Sequence, residues 1–362
     1  MDLSHLEPSG SRSQPATKTP KSRSLARRAS IGMFRGLSAG FRSISNMPPG
    51  RYMRRRLLAS IHYAKKGVQI ADQRFEGLSI VFLTDLHAGH VLSSDDLVKI
   101  FGHINDQKPD LICFGGDMID ARPQEMDLLR RPLAMLRPRL GMYAVAGNHE
   151  YQAFDRIERF YAILKECGVT PLHNSGVRIK TGSSSIWLGG VDDATEGEPS
   201  VSAALEGREE GEPTVLLSHH PDVFPIAEKR GVDLQLSGHT HGGQISLLGW
   251  KPLKHSKRGY VAGAYWRGSS ALYVSKGVGV TALPFRIGVS AEVPLFDLRP
   301  ATQEAHDDWC NRDFEVLSPA GNGVPDAPGT AVFLGLEEPE SPLPAKKVEE
   351  EVSEPSFHDS AQ

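Results

Sequence analysis

Ser237-Gly238-His239-Thr240-His241-Gly242-Gly243-Gln244 sets two imidazoles two positions apart, followed by a glycine pair, at the end of an apolar run over 232–236. Four similar segments lie upstream: Thr84-Asp85-Leu86-His87, Gly115-Gly116-Asp117, Gly147-Asn148-His149-Glu150 and Ser218-His219-His220-Pro221-Asp222. Each follows a short apolar run, at 78–83, 111–114, 143–146 and 215–217. Residues two apart in extended backbone point to the same side, so Asp85 with His87, and His239 with His241, can each face one ion. In an α/β sheet, ligands gather outside the carboxyl ends of the strands, where all five segments would converge. Their carboxylates, imidazoles and amide are hard oxygen and borderline nitrogen donors, suited to Mn, Fe or Zn, with Mg a weaker fit. No cysteine belongs to the set, which argues against a thiolate zinc site.

In chain order the segments read D-x-H, G-D, G-N-H-E, H and G-H-x-H, and so resemble the calcineurin-like metallophosphoesterase superfamily over roughly residues 76–298. Gly190-Val191-Asp192-Asp193 and Leu272-Tyr273-Val274-Ser275-Lys276-Gly277-Val278-Gly279 look like its bacterial branch of membrane-associated phosphodiesterases. Some members of that branch hydrolyse UDP-2,3-diacylglucosamine in lipid A synthesis. The resemblance implies an α/β fold, a four-layer αββα sandwich of two mixed sheets flanked by helices. It implies two divalent metal ions, the first held by Asp85, His87, Asp117 and His241, with Asp117 bridging to a second completed by Asn148, His219 and His239. Two cations about 3.5–4 Å apart activate a water and neutralise charge on phosphoryl oxygens. His149 takes the place of the family histidine that protonates the departing oxygen, a task suited to a group titrating near neutrality. Asp120 completes G-D-x-x-D and is expected to orient His149 by a carboxylate hydrogen bond.

Other polar residues receive plainer readings. His62, His90, His103, His173 and His255 are read as packed side chains, and the family pattern assigns the metal to His219 over its neighbour His220. Turn aspartates commonly bond their own backbone, the reading given to Asp192 and Asp193. Arg286 and Glu292 match family positions near the last strands, as structural ion-pair members or substrate contacts. Gly242 and Gly243 are read as permitting a tight turn. Leu247, Leu248, Trp250, Tyr260, Tyr265 and Trp266 are candidates for an apolar groove beside the metals, or for ordinary core.

The formal net charge of −3 over 362 residues hides a polarised chain. Residues 1–75 carry 15 Lys/Arg against 3 Asp/Glu, and residues 301–362 carry 3 against 14. These segments are assigned to a basic, partly disordered arm and an acidic, mostly disordered tail around a catalytic domain at 76–300. Within the arm, Ile31, Phe34, Leu37, Phe41 and Ile44 recur at helical spacing, with Arg28, Arg35 and Arg42 between them, as in an interfacial amphipathic helix. Pro48-Pro49-Gly50 is expected to end that helix before the polybasic Arg51-Tyr52-Met53-Arg54-Arg55-Arg56. Residues 27–56 are therefore expected to meet an anionic membrane surface.

Three scattered cysteines, Cys113, Cys167 and Cys310, fit a reducing compartment. With neither a long apolar span nor a secretory signal in the sequence, the expected location is the cytoplasm, peripheral on the inner face of the cell membrane. No nucleic-acid partner is expected, because the positive charge is concentrated in the arm. Ala121 and Tyr151 stand where protein Ser/Thr phosphatases carry arginine, which argues against that activity. The substrate expected is a phosphodiester or pyrophosphate, such as a nucleotide-linked lipid. The alternatives are a soluble enzyme acting on a nucleotide or small phosphoester, or a scaffold without catalysis.

Overall fold

A computed structural model describes residues 47–70, 77–89, 91–246, 255–300 and 331–334. The described chain builds two mixed sheets in the αββα arrangement. In the first, β1 (His62–Ile70), β2 (Leu78–Leu83), β3 (Leu111–Phe114), β4 (Gly141–Ala144), β5 (Val169–Pro171), β12 (Glu292–Pro300) and β13 (Ala331–Leu334) run in the order β13-β1-β12-β2-β3-β4-β5. In the second, β6 (Ser175–Thr181), β7 (Ser184–Gly190), β8 (Thr214–Leu217), β9 (Leu234–Ser237), β10 (Gly263–Arg267) and β11 (Ser270–Val274) run in the order β10-β11-β9-β8-β7-β6. Strands β2 to β5 are parallel, as are β7, β8, β9 and β11.

Alternation along the strands sorts the core into layers. Leu78, Ile80 and Phe82 of β2, with Leu111 and Cys113 of β3, meet Val215, Leu217, Leu234 and Leu236 of the second sheet. The intervening Val81, Leu83, Ile112 and Phe114 face helices α1 (Pro48–Ala59), α2 (Ser94–Asp106), α3 (Asp127–Met135) and α5 (Ile157–Glu166). Helices α6 (Val201–Ala204) and α7 (Phe224–Lys229) cover the opposite face, with Leu216 beneath them. A period of two with both sets apolar is what a strand buried on both faces requires.

The first unit departs from the sequence expectation. Pro48 and Pro49 begin helix α1, which carries the basic run of 51–56, because proline at the first turn lacks only an N–H that the helix leaves unbonded. Leu57 and Ile61 enter the core, and Arg54 binds Asp96 (2.6 Å) and Ser93 Oγ (2.8 Å) at the start of α2. Strand β1 then pairs in parallel with β12. A boundary at 75/76 therefore cuts through the sheet. The basic residues of 51–66 disguised a packed helix and strand. Residues 27–46 lie outside the described residues, as does most of 301–362. Residues 331–334 pair antiparallel with β1. No helix among the described residues is long and apolar enough to cross a membrane.

Candidate metal centre

The five segments leave the carboxyl ends of β2, β3, β4, β8 and β9. Beyond the strands their loops stay hydrogen-bonded to one another, Asp85 N–H to Gly116 O and His87 N–H to Asp117 O, both 3.0 Å. Glycine admits the close approach at two points. A Cβ at Gly147 would lie 2.3 Å from Asp117 Oδ1, and one at Gly238 would lie 2.3 Å from Asp85 Oδ2.

Three groups of possible ligand atoms result: Asp85, His87 and His241 converge in the first, Asp117, His219 and His239 in the second, and His87, Asp120 and His149 in a third beside them. In the first, His87 Nε2 lies 3.0 Å from His241 Nε2, which lies 3.3 Å from Asp85 Oδ1. In the second, His219 Nε2 lies 3.2 Å from Asp117 Oδ2 and 3.3 Å from His239 Nδ1. Asp117 Oδ2 is also 3.7 Å from His87 Nε2, so this carboxylate lies between the groups. A cation with bonds of ~2.1 Å places adjacent ligand atoms roughly 3 Å apart at right angles. Asn148 opens α4 (Asn148–Ala153); its Oδ1 is buried without a hydrogen-bond partner.

Backbone conformation points the same way. Nine non-glycine residues among those described have positive φ, and five are Asp85, His87, Asp117, His239 and His241. The left-handed region costs an L-residue roughly 1–2 kcal/mol, and such outliers cluster where function demands a geometry. The donors, their convergence and the unpartnered Asn148 oxygen all fit two divalent cations.

Hydrogen bonds set the imidazoles. A carbonyl can only accept, so His219 Nδ1 carries a proton for Gly115 O (2.7 Å), which leaves Nε2 turned to the cluster. His149 Nδ1 donates to the main-chain carbonyl of Asp120, leaving Nε2 4.0 Å from Asp117 Oδ2. The hydrogen bond from His149 to Asp120 thus goes to the main-chain carbonyl, with the Asp120 carboxylate grouped beside the same imidazole. The Asp120 carboxylate also stands 3.7 Å from His87 Nδ1. Burial, reinforced by neighbouring histidines, holds His239 and His241 well below the usual imidazole range, so both are neutral donors. Burial opposes ionisation of Asp117, but His219 and His149 beside it keep its carboxyl well below the usual range.

His220 stacks on His239 (centroids 3.7 Å apart), and its Nε2 stands 3.4 Å from Asp193 Oδ2. Burial lowers its pKa to about 4. Asp193 Oδ1 caps the turn at Thr195 and Glu196, as a turn aspartate does. Of the histidines read as packed side chains, His255 makes an edge contact with His239 (5.8 Å), and His90 lies outside the described residues. Arg286 and Glu292 do not bond each other. Arg286 donates to the carbonyls of His241, Gly277 and Gly279, and Glu292 binds Lys276 Nζ (3.2 Å). Tyr260 and Tyr265 are core, packed with Phe224 and Leu272, and Trp266 packs against the intersheet layer. Residues 247–250 lie outside the described residues.

Two carboxylates escaped the sequence reading. Glu150 accepts the N–H groups of Asp117 (2.9 Å), Met118 (2.7 Å), Ile119 (3.2 Å) and Gly147 (2.8 Å). Glu125 accepts those of Asp120 (3.1 Å), Ala121 (2.7 Å) and Arg122 (3.0 Å). Six consecutive amides, 117–122, are therefore held by two buried glutamates. Only the proximity of Glu150 to Asn148 could have signalled one of them.

The calcineurin-like phosphoesterase family model matches residues 78–243. The Bacillus subtilis metallophosphoesterase YkuE is 30% identical over 276 residues, 74% of this chain and 95% of that protein. The chain belongs to the calcineurin-like phosphoesterase family. This phosphoesterase is also 32% identical to a Helicobacter pylori metallophosphoesterase over 64% of its own length, spanning 62% of that protein. It is 35% identical, over 62% of its length, to a bovine transmembrane protein with a metallophosphoesterase domain, of which it spans 53%. Family and donor set together make it a metal-dependent phosphoester hydrolase.

Proposed function

We propose that this phosphoesterase cleaves a phosphodiester or pyrophosphate bond at the inner face of a membrane, on a nucleotide-activated lipid such as UDP-2,3-diacylglucosamine. The observation that carries the chemistry is the pair of ligand groups with the Asp117 carboxylate lying between them and His149 Nε2 at their margin. Asp85, His87, Asp117 and His241 would hold one ion, and Asp117, Asn148, His219 and His239 the other; manganese, iron or zinc suits these donors. Bound there, the two cations supply an activated water and neutralise charge on the phosphoryl oxygens. His149, its Nδ1–H held by Asp120 O, presents Nε2 to protonate the leaving oxygen.

The membrane reading is supported by α1, which exposes Arg51, Arg55 and Arg56 beside Tyr52 (63% exposed) and Met47 (54%). Each such cation contributes about 1 kcal/mol near an anionic leaflet. The bovine relative's transmembrane designation agrees with a membrane setting.

The test uses the full chain loaded with manganese. Bis-p-nitrophenyl phosphate and UDP-2,3-diacylglucosamine in mixed micelles are assayed with and without EDTA, and against His149→Ala. EDTA-sensitive turnover of both, with the lipid preferred, is expected. Turnover of neither would overturn the enzymatic reading, leaving a scaffold. Preference for soluble nucleotide diesters would replace the lipid by a small phosphoester.

A further inference from the structure

Glu125 has no place in the ligand set, yet it sits behind the group assigned as the acid. Its carboxylate is buried, and Oε2 receives the N–H of Ala121 at 2.7 Å, flanked by those of Asp120 and Arg122. The carbonyl of that same Asp120–Ala121 peptide receives His149 Nδ1–H. No peptide bond in the described chain is cis, so the N–H and C=O of this unit point in opposite directions. One rigid plane therefore separates the Glu125 carboxylate from the His149 imidazole.

We propose that Glu125 is a positioning residue for His149, acting through the Asp120–Ala121 peptide as a carboxylate–amide–imidazole relay. This rests on reading His149 as the acid. Hydrogen bonds in series polarise one another. A carboxylate on the N–H side makes the carbonyl a stronger acceptor, which fixes the imidazole plane and keeps the proton on Nδ1. The carboxylate is seated for that task. Arg122 Nε holds Oε1 at 3.2 Å, and Gly89 lies against the side chain so closely that a Cβ there would come within 2.6 Å of it. The arrangement gives the orienting role that a directly bonded aspartate would play to a glutamate one peptide removed.

The test compares wild type, Glu125→Gln, His149→Asn and the double variant, all zinc-loaded. Glutamine keeps an acceptor for the three amides and removes the charge. Methyl aryl phosphodiesters with leaving groups from p-nitrophenol to phenol separate proton donation from the rest of catalysis. Glu125→Gln is expected to slow the phenol ester about tenfold and the p-nitrophenol ester less than about threefold, the pattern of a weakened general acid. The double variant is expected to be no slower than His149→Asn. The His149 Nδ1–H proton resonance, assigned by its loss in His149→Asn, is expected to move upfield in Glu125→Gln. Should Glu125→Gln not fold by circular dichroism, Glu125→Asp, one methylene short of the Ala121 amide, takes its place. An unmoved resonance, a uniform loss across the esters, or an additional loss in the double variant overturns the proposal. Inactive wild type would instead overturn the reading of the site, and the resonance would still decide the role of Glu125.

Discussion

His219 and His220 show how one residue step separates a candidate ligand from its wall. His219 has Gly115 O behind Nδ1 and Asp117 in front of Nε2, while His220 turns to Asp193 and lends its face to His239. His219→Ala is accordingly expected to cost one of two bound ions, and His220→Ala to keep both, measured by metal analysis after gel filtration. Asp117→Asn should reduce kcat at least about 100-fold, beyond the usual effect of losing an outer-shell partner, because Asp117 faces both ligand groups. Spacing made the ligand candidates legible, since D-x-H and H-x-H need only extended backbone to face one ion. Glu125 was illegible, because its partners are main-chain amides that no side-chain pattern announces.

At the scale of elements, apolar runs ending in candidate ligand residues mark the strands that carry them. The run at 143–146 registers late against β4 because Val145 and Ala146, though buried, already belong to the loop. Strand β1 stayed hidden because Lys65 and Lys66 interrupt its pattern and the surrounding charge reads as an arm. Phe82, fully buried between the sheets, also lies under Gly115, so Phe82→Ala should cost about 3–5 kcal/mol in urea unfolding. Glu212 ties β6 to β7 by accepting from Arg178 Nε (2.7 Å) and Ser185 Oγ (2.7 Å). Burial alone would raise its pKa, but these donors and the Glu209 amide lower it. Its folded pKa is therefore below its unfolded one, and the stability it contributes is present above the unfolded value and lost as pH falls through the folded value. Glu212→Gln should unfold more readily than wild type at pH 7, with the gap closing as pH falls below the ordinary glutamate range.

For the whole molecule, the first sheet is completed from both ends of the chain, β1 and β12 lying side by side. A chain begun at residue 76 lacks α1 and β1 and should fail to give a cooperative thermal transition, whereas one begun at residue 47 should retain it. If α1 serves the membrane reading, the chain begun at 47 should still sediment with vesicles containing phosphatidylserine, though more weakly than the full chain. The same scaffold enforces left-handed backbone at Asp85, His87, Asp117, His239 and His241. Glycine at any of these positions would relax the main chain while deleting a candidate ligand. Once freed from selection for turnover, a gene duplicate has a route by which loss of activity brings relief to the backbone. Decayed descendants of this fold should then be recognisable by glycines accumulating in the D-x-H and G-H-x-H turns while the strands beneath them stay intact.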